Sequence, residues 1–149
     1  MSSVRAARFA AAYALLRAAA DIADHWVQSD HQAGTKGQHD HNDGQSSAAG
    51  RRACAAHVAT YTATQAAALL AGSRLLGIRL RPRQVAAGLA LSAVTHYIAD
   101  RREPLRRLAD ATGKANFVRL ADHGLNGGYL LDQAFHHAFE TAAALIVSA

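Results

Sequence analysis

The segment PRQVAAGLALSAVTHYIAD, residues 82–100, indicates an α-helical fold. Pro82 suits the first turn of a helix, because its missing N–H would have no intrahelical partner there. Alanine supplies much of the apolar content, and alanine-rich segments favour helices that approach one another closely. His96 and Asp100 lie four residues apart, so a helix places an imidazole and a carboxylate on one face. The stretch therefore predicts a helix that ends in a polar pair.

The rest of the chain has the same helical character. Half of its 149 residues are apolar and only 6% are aromatic, which does not suit the bulky, β-branched core of a sheet. We expect one all-α domain over residues 1–149, a bundle of four main helices around a polar His/Asp centre. The predicted helices cover residues 4–28, 52–76, 82–100 and 129–147, with a short amphipathic helix over residues 103–111.

Two segments separate these helices. Residues 29–50 are rich in Gly, Ser, Gln, Asn, Asp and His and contain almost no apolar residue. Such a segment cannot offset its ordering entropy by burial, so we expect a mobile polar loop. Asn126, Gly127 and Gly128 form a second break, which allows the chain to turn into the last helix.

Histidines and aspartates gather at the helix ends and predict a metal site between helices. Asp132 and His136 repeat the four-residue spacing of His96 and Asp100 at the start of the last helix. Such nitrogen and oxygen ligands are acceptable to zinc, manganese or iron, and the single cysteine, Cys54, excludes a thiolate cluster. The predicted metal ligands are His57, His96, Asp100, Asp132 and His136.

Hydrolysis is the simplest reaction for such a site. The metal would lower the pKa of a bound water, and Asp24 or Asp30 would act as the base or orient that water. Phosphoesters are the expected substrates, with a phosphorylated small molecule as ligand, because arginines at the rim pair with phosphate. The adjacent His-Asp pair of helical HD phosphohydrolases occurs only at His39-Asp40, outside the predicted helices. The predicted substrate-binding residues are Gln28, Lys36, Arg51, Arg52 and Arg101.

Each polar residue also has a structural interpretation. His57 lies in an apolar segment, where a lone histidine is more often a hydrogen-bonded core residue than a metal ligand. His96 and Asp100 are explained as an ion pair near a helix C-terminus, and Asp132 as a helix cap or a partner of the helix dipole. Taken together, several inward-facing ionisable groups favour a shared centre, because burying them is costly unless they are paired or bind a metal.

The net charge of +5 is carried mainly by arginines at segment ends. These arginines do not form one stripe with interleaved stacking residues, which argues against nucleic-acid binding. Apolar segments flanked by arginines are also typical of membrane proteins. Residues 53–73 approach the ~20 residues of a spanning helix, but their threonines and alanines make them only weakly hydrophobic.

The chain resembles the domain of unknown function 3307, a family of small helical bacterial and phage proteins. The resemblance rests on Asp24-His25-Trp26-Val27-Gln28-Ser29-Asp30 with Lys36, on His57, on Thr95-His96-Tyr97-Ile98-Ala99-Asp100, and on Asp132-Gln133 with His136. It implies a helical protein, often membrane-associated, and carries no established activity. The chain departs from that pattern in its lower hydrophobicity and its His-rich first loop.

Two hypotheses for function follow. The first is a metal-dependent hydrolase in the cytoplasm or at the inner membrane. The second is a non-catalytic membrane-associated or phage accessory protein, in which the same His and Asp residues form a structural network. A cavity open to water beside His96, Asp100 and Asp132 would favour the first hypothesis.

Overall fold

The structure, a computed structural model, describes residues 3–149 and is all-α, as predicted. A π-helical turn over Ala23–Val27 extends the first helix, and one short antiparallel hairpin precedes the last. The elements are α1 (Ser3–Ile22), α2 (Asp30–Thr35), α3 (Ser47–Leu75), α4 (Pro82–Asp100), α5 (Glu103–Ala111), α6 (Ala115–Val118), β1 (Ala121–Asp122), β2 (Leu125–Asn126) and α7 (Gly127–Val147).

Each of the four long helices packs against two of the others. Helix α1 contacts α3 and α7, and α4 contacts the same two helices. Leu16, Leu69 and Val147 lie with alanines in the apolar core between them. At Gly88 of α4, an added Cβ would lie 2.9 Å from the Ala143 carbonyl oxygen of α7. The small residues therefore permit the close helix approach that the alanine content predicts.

Local signals explain where three of the long helices begin. Pro82 occupies the first turn of α4, and the Asn126 side chain accepts a hydrogen bond from the Tyr129 N–H at the start of α7. Helix α3 begins at Ser47 rather than near residue 52, because the Ser46 hydroxyl caps it by accepting from the Ala49 N–H. The predicted helices are confirmed apart from such shifts at their ends.

The segment 29–50 differs from the predicted loop. It contains α2, which begins with a capping box between Ser29 and Gln32, and the first residues of α3. The buried guanidinium of Arg101 donates to the carbonyl oxygens of Lys36 at 2.5 Å and Gln38 at 2.6 Å. The segment has few apolar residues to bury, and hydrogen bonds to a buried arginine hold it instead.

The hairpin of β1 and β2 was also not predicted. Its turn residues, His123 and Gly124, both have positive φ, at 47° and 80°. Such two-residue turns suit the twist of paired strands. The hairpin leads directly into α7 and so sets where that helix begins. Separately, no helix within residues 3–149 is long and apolar enough to cross a membrane.

Candidate metal centre

Three segments of the chain bring four polar side chains together. Asp24 lies on the π-helical turn after α1, His57 on α3, and His96 and Asp100 on the last two turns of α4. Single π-turns occur frequently at functional sites, because the wider turn redirects a side chain. Here the turn carries Asp24, whose carboxylate reaches across to His57.

The ligand atoms of these residues converge. His57 Nε2 lies 2.9 Å from His96 Nε2, 3.1 Å from Asp24 Oδ1 and 3.4 Å from Asp100 Oδ2. His96 Nε2 lies 3.5 Å from Asp24 Oδ1 and 3.1 Å from Asp100 Oδ2. Two nitrogens and two carboxylate oxygens therefore face one another, with at most one proton on each nitrogen to share among them.

Ring packing fixes the orientation of the imidazoles. The His96 ring contacts Tyr61, with centroids 3.8 Å apart, and stacks on His136 at 4.2 Å. His57 and His96 are buried, and the Nδ1 atom of each ring has no hydrogen-bond partner among residues 3–149. Packing between rings therefore replaces the hydrogen bond that usually orients a ligating histidine.

The charges of the site are set by opposing effects. Burial raises the pKa of Asp24, but the hydrogen bond with His57 and the nearby His96 outweigh it, so this pKa is lowered. Burial lowers the pKa of His96 and is only partly offset by Asp100. At neutral pH the site therefore offers an ionised carboxylate and a neutral imidazole, the forms that bind metal ions.

Lys36 neutralises part of this negative charge. Its Nζ lies 2.8 Å from Asp100 Oδ1, and both side chains are largely buried. Burial raises the pKa of Asp100, but His96 and Lys36 together hold it well below its usual range. Asp100 Oδ2 faces the histidines, and no hydrogen-bond donor within residues 3–149 is directed at it.

A second His/Asp pair adjoins the first. His136 Nε2 lies 3.3 Å from Asp132 Oδ2 on α7, and ligand atoms of this pair and of Asp100 lie within 4.8 Å of one another. Burial lowers the pKa of His136, but Asp132 outweighs it and raises the pKa overall. Asp100 therefore lies between two groups of candidate ligands.

Beneath the histidines lies a buried hydrogen-bond network that sequence reasoning missed. The Tyr61 hydroxyl donates to Glu140 Oε1 at 2.8 Å, and Arg17 Nη1 donates to Glu140 Oε2 at 2.6 Å. Gln65 donates to the Tyr61 hydroxyl and accepts from Ser92. One signal was available, because Glu140 follows His136 by four residues and shares its helix face.

A cavity of about 470 Å³ opens onto the site. Gln28, Lys36, Arg102 and Arg106 lie on its wall, and the Gln28 Nε2 atom is buried without a hydrogen-bond partner among residues 3–149. The lining of the cavity therefore combines acidic and cationic side chains. Its lining includes Asp24, Asp100, Asp132 and His136 from the His/Asp cluster.

The structure brings some of the predicted site residues together and places others elsewhere. The five predicted metal ligands, His57, His96, Asp100, Asp132 and His136, form one cluster with Asp24. Asp30, Arg51 and Arg52 are exposed and lie outside the cavity lining, because they face solvent on α2 and α3. Arg101 is buried and binds backbone carbonyls rather than standing at a rim. The cavity arginines are instead Arg102 and Arg106, from the same basic run.

No family model, no curated protein and no solved structure matches the chain. The resemblance to the domain of unknown function 3307 therefore stays a prediction.

Proposed function

We propose that the protein is a metal-dependent hydrolase that acts on phosphoesters. One observation carries this proposal, the approach of His57 Nε2 and His96 Nε2 to 2.9 Å with the carboxylates of Asp24 and Asp100 beside them. Four electron-pair donors at this spacing repel one another unless protons or a cation lie between them. A divalent ion accepts all four at once, and nitrogen and oxygen ligands suit zinc, manganese or iron.

The ion would supply a nucleophile by lowering the pKa of a bound water. Asp24 stays ionised because its pKa is lowered, so it suits binding the ion or orienting the water better than storing a proton. Asp30 is exposed outside the cavity lining and is dropped from the proposed mechanism. The proposal therefore assigns to Asp24 alone the role that the sequence left open between two aspartates.

The cavity wall supports an anionic substrate. Arg102 and Arg106 line the cavity together with Lys36, and guanidinium groups bind phosphate oxygens in pairs of hydrogen bonds. The Gln28 Nε2 atom, which has no hydrogen-bond partner among the described residues, offers a further donor. Lys36 is already paired with Asp100, so the two arginines are the principal phosphate contacts in this proposal.

The test is a phosphatase assay on metal-stripped, untagged protein reloaded with Mn²⁺ or Zn²⁺. A phosphomonoester and a phosphodiester of p-nitrophenol serve as substrates. Activity should require metal and fall by about 100-fold or more in His96→Ala, since the metal's share of catalysis is several kcal/mol. The exposed His123 provides the control, because His123→Ala should leave the rate unchanged. Metal-independent hydrolysis, or equal rates in both variants, would contradict the proposal.

A second variant pair tests the substrate assignment. Arg106→Met should raise KM for the phosphoester by about tenfold, which corresponds to losing about 1.4 kcal/mol of phosphate binding. Arg52→Met should leave KM unchanged, because Arg52 is exposed outside the cavity lining. Equal effects of the two substitutions on KM would show that Arg106 does not bind the phosphate.

A non-catalytic structural network is the second candidate. One observation favours it, the ion pair between Lys36 and Asp100. In this alternative, lysine supplies the positive charge that the metal otherwise brings. Well-folded protein that takes up no divalent ion under any loading condition would favour the network over the hydrolase.

A further inference from the structure

The His/Asp cluster contains more ligands than one ion needs. A zinc site typically takes four ligands, and catalytic zinc takes three from the protein. His57, His96 and Asp100 already form one compact group, and Asp100, Asp132 and His136 form another. The shared member of both groups is Asp100.

We propose that the site binds two divalent ions rather than one. His57 and His96 would be the end ligands of the first ion, Asp132 and His136 those of the second, and Asp24 and Asp100 would lie between the ions. This inference rests on the proposed function only in requiring that the cluster bind metal.

The placement of the two carboxylates supports the bridging role. Asp24 Oδ1 lies 3.1 Å from His57 Nε2, and Asp24 also groups with His96 and His136 within 4.8 Å. Asp100 is 3% exposed, and its Oδ2 atom is buried with no hydrogen bond directed at it from residues 3–149. Each carboxylate therefore reaches ligand atoms on α7 as well as those nearer to α3.

Burial and charge support the same arrangement. Three aspartates line the cavity, and their side chains are 13% exposed at Asp24, 3% at Asp100 and 26% at Asp132, with Lys36 ion-paired to Asp100. Buried carboxylates are costly unless they are paired or bind metal. Two divalent ions would place a cation beside each of the three carboxylates, and pairs of ions about 3.5–4 Å apart hold both the attacking and the leaving oxygen in phosphoester hydrolysis.

Manganese stoichiometry tests the inference on the full-length, untagged protein. Mn²⁺ binding is counted by equilibrium dialysis, and electron paramagnetic resonance detects the exchange coupling of two neighbouring Mn²⁺ ions. The native protein should bind two ions and show a coupled spectrum. Asp132→Asn should bind one ion and show only an uncoupled spectrum, because the substitution removes an end ligand of the second position while preserving side-chain size.

Asp122→Asn is the matched control, since Asp122 is largely exposed in the hairpin, and it should retain two ions. One ion in the native protein would overturn the two-ion inference and leave the hydrolase proposal standing. No bound ion would overturn both. If Asp132→Asn still binds two ions, Asp132 is not a ligand of the second ion. Circular dichroism on each variant establishes that a lost ion does not reflect a lost fold.

Discussion

His57 and His96 point their Nε2 atoms at each other across 2.9 Å, from helices α3 and α4. If both rings are neutral, only one of the two nitrogens can donate to the other. Asp24 and Asp100 approach the same point, so two nitrogens and two carboxylate oxygens share at most two protons. This crowding is the physical basis for assigning a cation to the site.

Lys36 should be the main source of positive charge when no metal is bound. Lys36→Met would leave Asp100 as a buried carboxylate without its ion-pair partner, which is 2.8 Å away. We expect the free energy of unfolding of the metal-stripped protein to fall by about 2–4 kcal/mol, measured by urea denaturation.

The exposed Lys114 gives the control for this measurement. Lys114→Met should change the free energy of unfolding by less than about 0.5 kcal/mol. Loading with Mn²⁺ should reduce the loss in Lys36→Met, because the ion neutralises Asp100. Equal effects of the two lysine substitutions would show that the ion pair contributes nothing.

The Tyr61 hydroxyl should stabilise the fold without taking part in metal binding. Tyr61→Phe keeps the ring against His96 but leaves Glu140 without its 2.8 Å hydrogen bond. We expect a loss of about 1–3 kcal/mol in thermal or urea unfolding, since a buried acceptor loses its donor. Tyr13 is partly exposed, so Tyr13→Phe should be near neutral. A loss of bound metal in Tyr61→Phe would instead place the hydroxyl in the metal centre.

Cys54 should be unreactive in the folded protein. Burial, followed by the negative charge of Asp100, raises the pKa of its thiol to about 12. Thiolate is the reactive form, so Ellman's reagent at pH 8 should modify the native protein far more slowly than the urea-unfolded chain. Equal rates would mean that the thiol is accessible and contradict its burial.

The raised pKa of the Cys54 thiol also makes the stability of the fold depend on pH. A folded-state pKa above the unfolded value of 9.0 means that the unfolded chain loses the thiol proton first as the pH rises. The stabilising contribution is therefore complete below about pH 9 and is lost as the pH approaches 12. Cys54→Ala should make unfolding less sensitive to pH within this window, and an unchanged pH profile would contradict the shift.

Helical spacing explains why much of the site was predictable. His96 with Asp100 and Asp132 with His136 lie four residues apart, and local helix geometry alone brings each pair together. The helices themselves follow from alanine content and from Pro82 at the first turn of α4. These features depend on residues close together in the sequence, so one sequence is enough to predict them.

The remaining features depend on distant contacts. Lys36 reaches Asp100 because Arg101 holds the carbonyls of Lys36 and Gln38, a contact across more than sixty residues of chain. The basic run after α4 was recognised, but its spacing did not show that Arg101 is buried whereas Arg102 lines the cavity. The π-helical turn at Asp24 likewise has no distinct periodicity over its five residues.

Metal content decides whether the His/Asp cluster binds an ion. Elemental analysis is performed on the untagged native protein, on His57→Ala/His96→Ala, and on a control with the exposed histidines changed, His123→Ala/His137→Ala. We predict a stoichiometric transition metal in the native protein and in the control, with most of it lost from the first variant. A metal-free native protein that remains folded after loading with Zn²⁺, Mn²⁺ or Fe²⁺, or equal metal in all three proteins, would contradict the account.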